Sequence, residues 1–284
     1  MDARGWHLQS VTVESVLNSA QRLAEAGQID GAYALLTRFL NAAPDSIMAL
    51  RMRAAISCRS EDWERALADY NSVISLQPDC ADCYFERGNA LMRTGDVHAA
   101  IDDFSTCLSI EPRHAPALAS RAAMLLQVHC LEQALDDIAS AAEARPLNDR
   151  DIHNRAVILV HMGRVKEAIS EYQRALELNP DSGGTHNNLA WLLATSEDPR
   201  IRNGRRAVGH ALRAVELGRT GGWMDTLAAA YAESGDFDAA VAAEDEALQL
   251  VGGNNPAFLK RKSLYQHGIS YAAWLGARRR NEDV

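Results

Sequence analysis

Two cysteines three residues apart, Cys80 and Cys83, are the pair in this chain with the plainest capacity for chemistry. Thiols at that spacing hold zinc when two further ligands join them, or cycle between dithiol and disulfide. His114 would be the third zinc ligand, but no second CxxC supplies a fourth, and the βαβ setting of redox pairs is missing. The pair therefore reads as two small residues at a turn, with a metal- or redox-active site at Cys80/Cys83 kept as the alternative of another class. Five cysteines in 284 residues are no disulfide framework. His153 and His161 stand two helical turns apart, too far to chelate one ion. Carboxylate pairs such as Asp102–Asp103 fall on wet helix faces. Gly221-Gly222 and Gly252-Gly253 sit between helices and read as helix stops. No Walker loop, dinucleotide fingerprint, HExxH or GxSxG motif occurs. The expectation is a non-enzymatic chain with no catalytic residue, no metal and no cofactor.

A second set of charged residues is periodic. Arg53, Arg87, Arg121 and Arg155 recur at one constant interval, and Asp69, Asp103, Asp137 and Glu171 follow them at a fixed offset. Where the arginine is missing the acid is missing too, as at Ser19 and Leu35, Leu189 and His210, and Leu227 and Ala243. Joint presence and joint absence predict contact, so these eight residues form a structural Arg–carboxylate ladder rather than a ligand-binding strip.

Such residues need a scaffold with the same period. Pro44, Pro78, Pro112, Pro146 and Pro180 stand at that same interval, each preceded at a fixed distance by Ala32, Ala66, Ala100, Ala134 or Ala168. Ala20, Ala54, Gly88, Ala122 and Ala156 make a third series. Within each period apolar residues recur at three and four, giving two amphipathic helices. The small residues let helix backbones approach, and Leu36, Tyr70, Phe104, Ile138 and Tyr172 fill the space beside them. Aromatic residues are only 6% of the chain, as such close packing requires. A single hairpin cannot bury its apolar face, so the hairpins must stack. The net charge of −9 is the wrong sign for a dedicated nucleic-acid binder. No stretch of 18 apolar residues suits a membrane span, and the first residues lack a signal-type apolar run, so a cytoplasmic location is expected.

These three series resemble the tetratricopeptide repeat, TPR, bacterial-type, whose period of about 34 residues is the interval that all of them share. The resemblance implies an all-α right-handed superhelical solenoid of seven helix-turn-helix repeats plus a C-terminal capping helix. After an N-terminal extension, 1–12, the repeats are 13–46, 47–80, 81–114, 115–148, 149–182, 183–220 and 221–252. Repeat six carries five extra residues in the loop SEDPRIRN, and repeat seven has Glu244 where a large apolar residue is usual. A capping helix follows at 253–267, with Phe258, Leu259, Leu264 and Tyr265 as its apolar stripe and Lys260, Arg261 and Lys262 as its wet face. The tail, 268–284, holds Tyr271, Trp274 and Leu275, and its end, ARRRNEDV, is expected to fray.

The resemblance also implies that first helices line a concave groove that takes a partner peptide or helix. Mapped onto this sequence, the groove residues are Asn18, Arg51, Phe85, Asn89, Met92, Arg93, His153, Asn154, Asn187, Asn188 and Trp191. An asparagine amide donates and accepts at once, which suits an extended peptide backbone. Phe85, Met92 and Trp191 are the anchors, and Arg51, Arg59 and Arg93 with Asn89 would make a looser anion site. The function expected is a protein–protein interaction scaffold or adaptor. The alternative is self-assembly, with Tyr271–Leu275 docking on another copy or in the chain's own groove.

Overall fold

The computed structural model describes residues 12–282 and shows an all-α chain, helix following helix. The helices are α1 (Val13–Glu25), α2 (Ile29–Ala42), α3 (Ile47–Arg59), α4 (Trp63–Leu76), α5 (Ala81–Thr94), α6 (Val97–Ile110), α7 (Ala115–Gln127) and α8 (Leu131–Ala144). They continue as α9 (Asp149–His161), α10 (Val165–Leu178), α11 (Gly183–Thr195), α12 (Gly204–Leu217), α13 (Gly221–Ser234), α14 (Phe237–Leu250), α15 (Pro256–Gln266) and α16 (Tyr271–Glu282). Residues 1–11, which hold most of the expected N-terminal extension, lie outside the described residues. The chain divides into two compact units, Met1–Pro146 and Leu147–Val284.

Local chemistry sets the helix ends. Asp62, Asp96 and Asp236 each accept a hydrogen bond from a backbone N–H in the first turn of α4, α6 and α14. Gly95 and Gly235 close α5 and α13 in the left-handed conformation that glycine adopts freely. Gln77, Glu111 and Asn179 stand before a proline and leave the helical region, with φ near −139°, −127° and −138°, which stops α4, α6 and α10. Gly252 and Gly253 stop the chain after α14 as expected, with positive φ. Gly221 and Gly222 instead begin α13. A Cβ on Gly221 would lie 2.5 Å from Val251 Cγ1, so close helix approach, not helix termination, accounts for that glycine.

In the first unit α1 to α8 stack as four hairpins, each helix packing on the next. The core is the small-residue series: Ala20, Ala32, Ala54, Ala66, Ala100, Ala122 and Ala134 are fully buried, with Leu36, Phe104 and Ile138 beside them. The second unit is built the same way, from α9 to α14, with α15 packed on α14 and α16 on α11, α13 and α15. Glycine replaces alanine at position 88 because the Phe104 ring occupies the space, 2.7 Å from where a Cβ would sit. Gly88→Ala gains about 1 kcal/mol of helix propensity but forces an overpacked ring, a cost of about 1–3 kcal/mol. A net fall in the denaturant midpoint is expected, and Gly88→Ala with Phe104→Leu should restore it.

Three expectations for the C-terminus change. Of residues 277–284, expected to fray, 277–282 continue α16, and 283–284 lie outside the described residues. Arg261, expected on the wet face of the cap, is 9% exposed because it pairs with Asp225 beneath it. Leu259, expected in the apolar stripe, is exposed instead, whereas Phe258 and Tyr265 are buried.

Candidate functional site

The periodic charges are paired, three of the four pairs through both carboxylate oxygens. Arg53 Nε and Nη2 donate to the two Asp69 oxygens at 2.8 and 2.6 Å. Arg87 meets Asp103 at 2.8 and 2.7 Å, and Arg121 meets Asp137 at the same distances. In the second unit Arg155 Nε donates to Glu171 at 3.0 Å. The aspartates are buried, and their hydrogen bonds raise the pKa of Arg53, Arg87 and Arg121 despite the opposing cost of burial. A further partner escapes a search for charge pairs. Arg53, Arg87 and Arg121 also donate, through Nη1, to Thr37, Asn71 and Ser105. Each of these arginines therefore joins three consecutive helices, such as α4, α5 and α6 for Arg87. Thr37, Asn71 and Ser105 are themselves spaced by one repeat, a signal visible in the sequence. In repeat six His210 stands where the acid would be, and it bonds His186 through the two Nδ1 atoms at 2.9 Å. Burial and the neighbouring His186 hold His210 down at about 4.

On the first-helix face of the first unit, the basic residues are already engaged. Arg51 is paired with Glu86 of the next repeat, with Nε 3.1 Å from Oε2. Arg59 donates to the Ala24 carbonyl, and Arg93 lies over the Trp63 ring and 4.0 Å from Glu61. The three do not converge on an anion site. Phe85 is packed between helices, with its ring centroid 6.0 Å from Phe104 and 4.8 Å from His114. Met92 and Asn89 stay half-exposed, and Asn18 is exposed. The amides of Asn18 and Asn89 have no hydrogen-bond partner among the described residues.

The second unit shows the same division. Asn154 is half-exposed and its amide is unpartnered among the described residues. His153 is turned to structural use: Nδ1 lies 2.8 Å from Thr185 Oγ1, its ring packs on Tyr172, and burial lowers its pKa. Asn188 reaches the Tyr172 hydroxyl at 3.5 Å, and Asn187 donates to Asn188 at 3.4 Å. Trp191 is partly covered, with Tyr271 6.0 Å away and the Arg261 guanidinium 5.6 Å over its ring.

Cys80 and Cys83 are joined in a disulfide, which corrects the reading of two inert turn residues. Cys80 stands at the residue just before α5, and the first turn of that helix brings the Cys83 sulfur to it. In this bonded form the sulfurs offer a metal no thiolate. His114, the expected third ligand, instead accepts the Ala117 N–H through Nδ1 at 3.1 Å, which leaves Nε2 to donate to Asp82 at 3.3 Å. Among the described residues, no group of three His, Cys, Asp or Glu is placed to hold a metal, and no helix is long and apolar enough to cross a membrane.

Stacked two-helix units of constant period, tied by arginines that each reach neighbouring helices, define a helical-repeat protein. Residues 54–127 and 151–182 match tetratricopeptide-repeat family models, and the chain is a tetratricopeptide-repeat protein. Solved structures agree on the fold. A tetratricopeptide repeat protein from Parabacteroides merdae ATCC 43184 superposes with a TM-score of 0.66 at 17% identity, over 89% of this chain and 98% of that one. YrrB, described as a TPR protein with an unusual peptide-binding site, gives 0.54 at 18% identity, over 69% and 98%. The APC/C hetero-tetramer Cut9-Hcn1 gives 0.62 at 17% identity, over 90% and 49%. No curated protein matches the chain in sequence.

Proposed function

We propose that the chain is a non-enzymatic scaffold or adaptor that binds a partner peptide or helix on the face made by the first helices of its repeats. The observation that carries this reading is a division of labour among polar side chains. The ladder arginines are consumed in tying helices together, and Arg51 in pairing with Glu86. The amides of Asn18, Asn89 and Asn154, at first-helix positions, are left free of intramolecular partners among the described residues. Each offers a donor and an acceptor to an incoming backbone, with half-buried Met92 as adjacent apolar contact. Groove recognition of extended or helical segments is the mode such a surface supports. YrrB, which shares the fold, is a TPR protein with an unusual peptide-binding site, and this is consistent with the reading.

Quantitative affinity capture tests the reading. Asn89→Ala with Met92→Ala, and separately Asn154→Ala, should reduce retention of the natural partner at least about tenfold, while folding is unchanged by circular dichroism. Glu132→Ala with Glu143→Ala, on exposed positions of α8, should retain it fully. Equal retention by all variants would overturn the face assignment.

A further inference from the structure

Two departures of this chain from the regular repeat meet in space. One is the five-residue insertion of repeat six, the other is the segment beyond the cap. Helix α16 lies against α11 and α13, the first helices of repeats six and seven, the face to which the proposed function assigns partners. Tyr271 reaches Trp191, and Trp274 stacks on Tyr271 with centroids 5.6 Å apart. Lys260 Nζ sits 3.8 Å over the Trp274 ring. Leu275 lines a cavity of about 590 Å³ with Val165, Leu192 and Ile201. The inserted loop meets the basic end of α16, since Glu197 pairs with Arg279 at 2.5 Å. That loop is itself held in place: Arg202 donates to the Ser196 carbonyl at 3.0 Å and to Glu233 at 2.8 Å, and Glu233 accepts from Ser270 at the start of the tail.

The attachment is thin for a helix. In α16 Ala272 is buried, Tyr271, Trp274 and Leu275 are half-exposed, and Ala273, Gly276, Ala277, Arg278 and Arg279 are exposed. A helix this short, with a glycine inside it, is marginal in water. It stays in place because the short 267–270 connection holds it at high effective concentration, which multiplies weak contacts without adding any. The same contacts are available to an unlinked segment of like chemistry.

We infer that the first-helix face of repeats six and seven is a docking site for aromatic-then-basic helical segments of the form Tyr-x-x-Trp-Leu followed by arginine, and that α16 is its resident occupant in cis. The inference rests on the proposed function and narrows it to one surface and one class of partner. Trp191 supplies the aromatic platform, the cavity beside Leu192 takes the leucine, and Glu197 and Glu233 on the rim select for basic and hydroxyl-bearing ends. An external segment binds by displacing α16.

The test uses the full chain and a fluorescein-labelled peptide spanning 270–282 of this sequence. Wild-type protein should bind it weakly, because the site is filled. A full-length Tyr271→Ala/Trp274→Ala chain should bind it at least about tenfold more tightly, as should Arg279→Glu, whose exposed side chain leaves folding untouched. Adding Trp191→Ala to either variant should abolish the gain, and a peptide carrying Trp274→Ala should not bind. Equal affinity of wild type and both variants for the peptide, or no binding to any, would overturn the inference. So would a concentration-dependent dimer of the wild-type chain that Trp191→Ala abolishes, because it would put the tail of a second copy in the site. Partner capture that depends on Asn89 and Asn154 would persist in those failures, which separates them from failure of the groove reading.

Discussion

Arg87→Ala is expected to lower the unfolding free energy of the first unit by about 3 kcal/mol, the low end for breaking a buried ion pair. The substitution leaves Asp103 at 5% exposure without its bidentate donor and leaves Asn71 Oδ1 without its own. The cost is mostly the desolvated carboxylate left behind, so removing both charges by Arg87→Met and Asp103→Leu should recover most of the loss. Arg51→Ala is the matching control. Its pair with Glu86 is about one-third exposed, and its loss should cost about 1 kcal/mol or less. Denaturant melts followed by far-ultraviolet circular dichroism decide the matter. A loss for Arg87→Ala no larger than for Arg51→Ala would show that the ladder does not tie the helices.

The second large effect is a pH dependence centred on Glu244. Its carboxyl is fully buried, neither oxygen has a partner by geometry, and the Tyr265 hydroxyl nearby is also unpartnered. Burial, and then the charge of Asp225, push Glu244 up to about 9, against the attraction of Arg261. Asp225 itself keeps its ion pair with Arg261. Unfolded, Glu244 releases its proton near the ordinary glutamate value of about 4.3. Between that value and about 9 the folded chain binds one proton more than the unfolded chain. Stability must therefore fall as pH rises through this window, by up to about 1.4 kcal/mol per pH unit from this residue. The thermal midpoint should drop from pH 5 to pH 9. Glu244→Gln, which has no proton to lose, should flatten that slope. Glu244→Leu restores the apolar residue usual at this place and should stabilise the chain by about 1–3 kcal/mol. A wild-type slope retained in Glu244→Gln would assign the pH dependence to other groups.

The repeat architecture was legible because its determinants are local and periodic. A proline can end a helix wherever it stands, and an alanine at a helix crossing excludes anything larger, so both write the period into the chain. The Arg–Asp pairs were legible for the same reason, as both partners recur together. What escaped was aperiodic. Arg261 reads as a solvated charge beside Lys260 and Lys262, and only the docking of α15 on α13 brings Asp225 to it. The exception in the pattern, Glu244, was visible, but nothing in the sequence placed it next to Asp225. Trp191 was identified as a surface anchor from its repeat position, yet its cover comes from Tyr271, far along the chain and outside any repeat. The half-buried candidates divide similarly. Phe85 and His153 turned inward because Phe104, His114, Tyr172 and Thr185 lie within reach, whereas the amides of Asn89 and Asn154 meet no hydrogen-bond partner among the described residues.

The central claim, that partners are held on the first-helix face, is tested most directly by hydrogen–deuterium exchange of the full chain with and without its captured partner. Protection should concentrate on α3, α5, α7 and α9, with α4, α6, α8 and α10 little changed. Protection confined to the second helices, with the first helices exchanging as in the free chain, would contradict it.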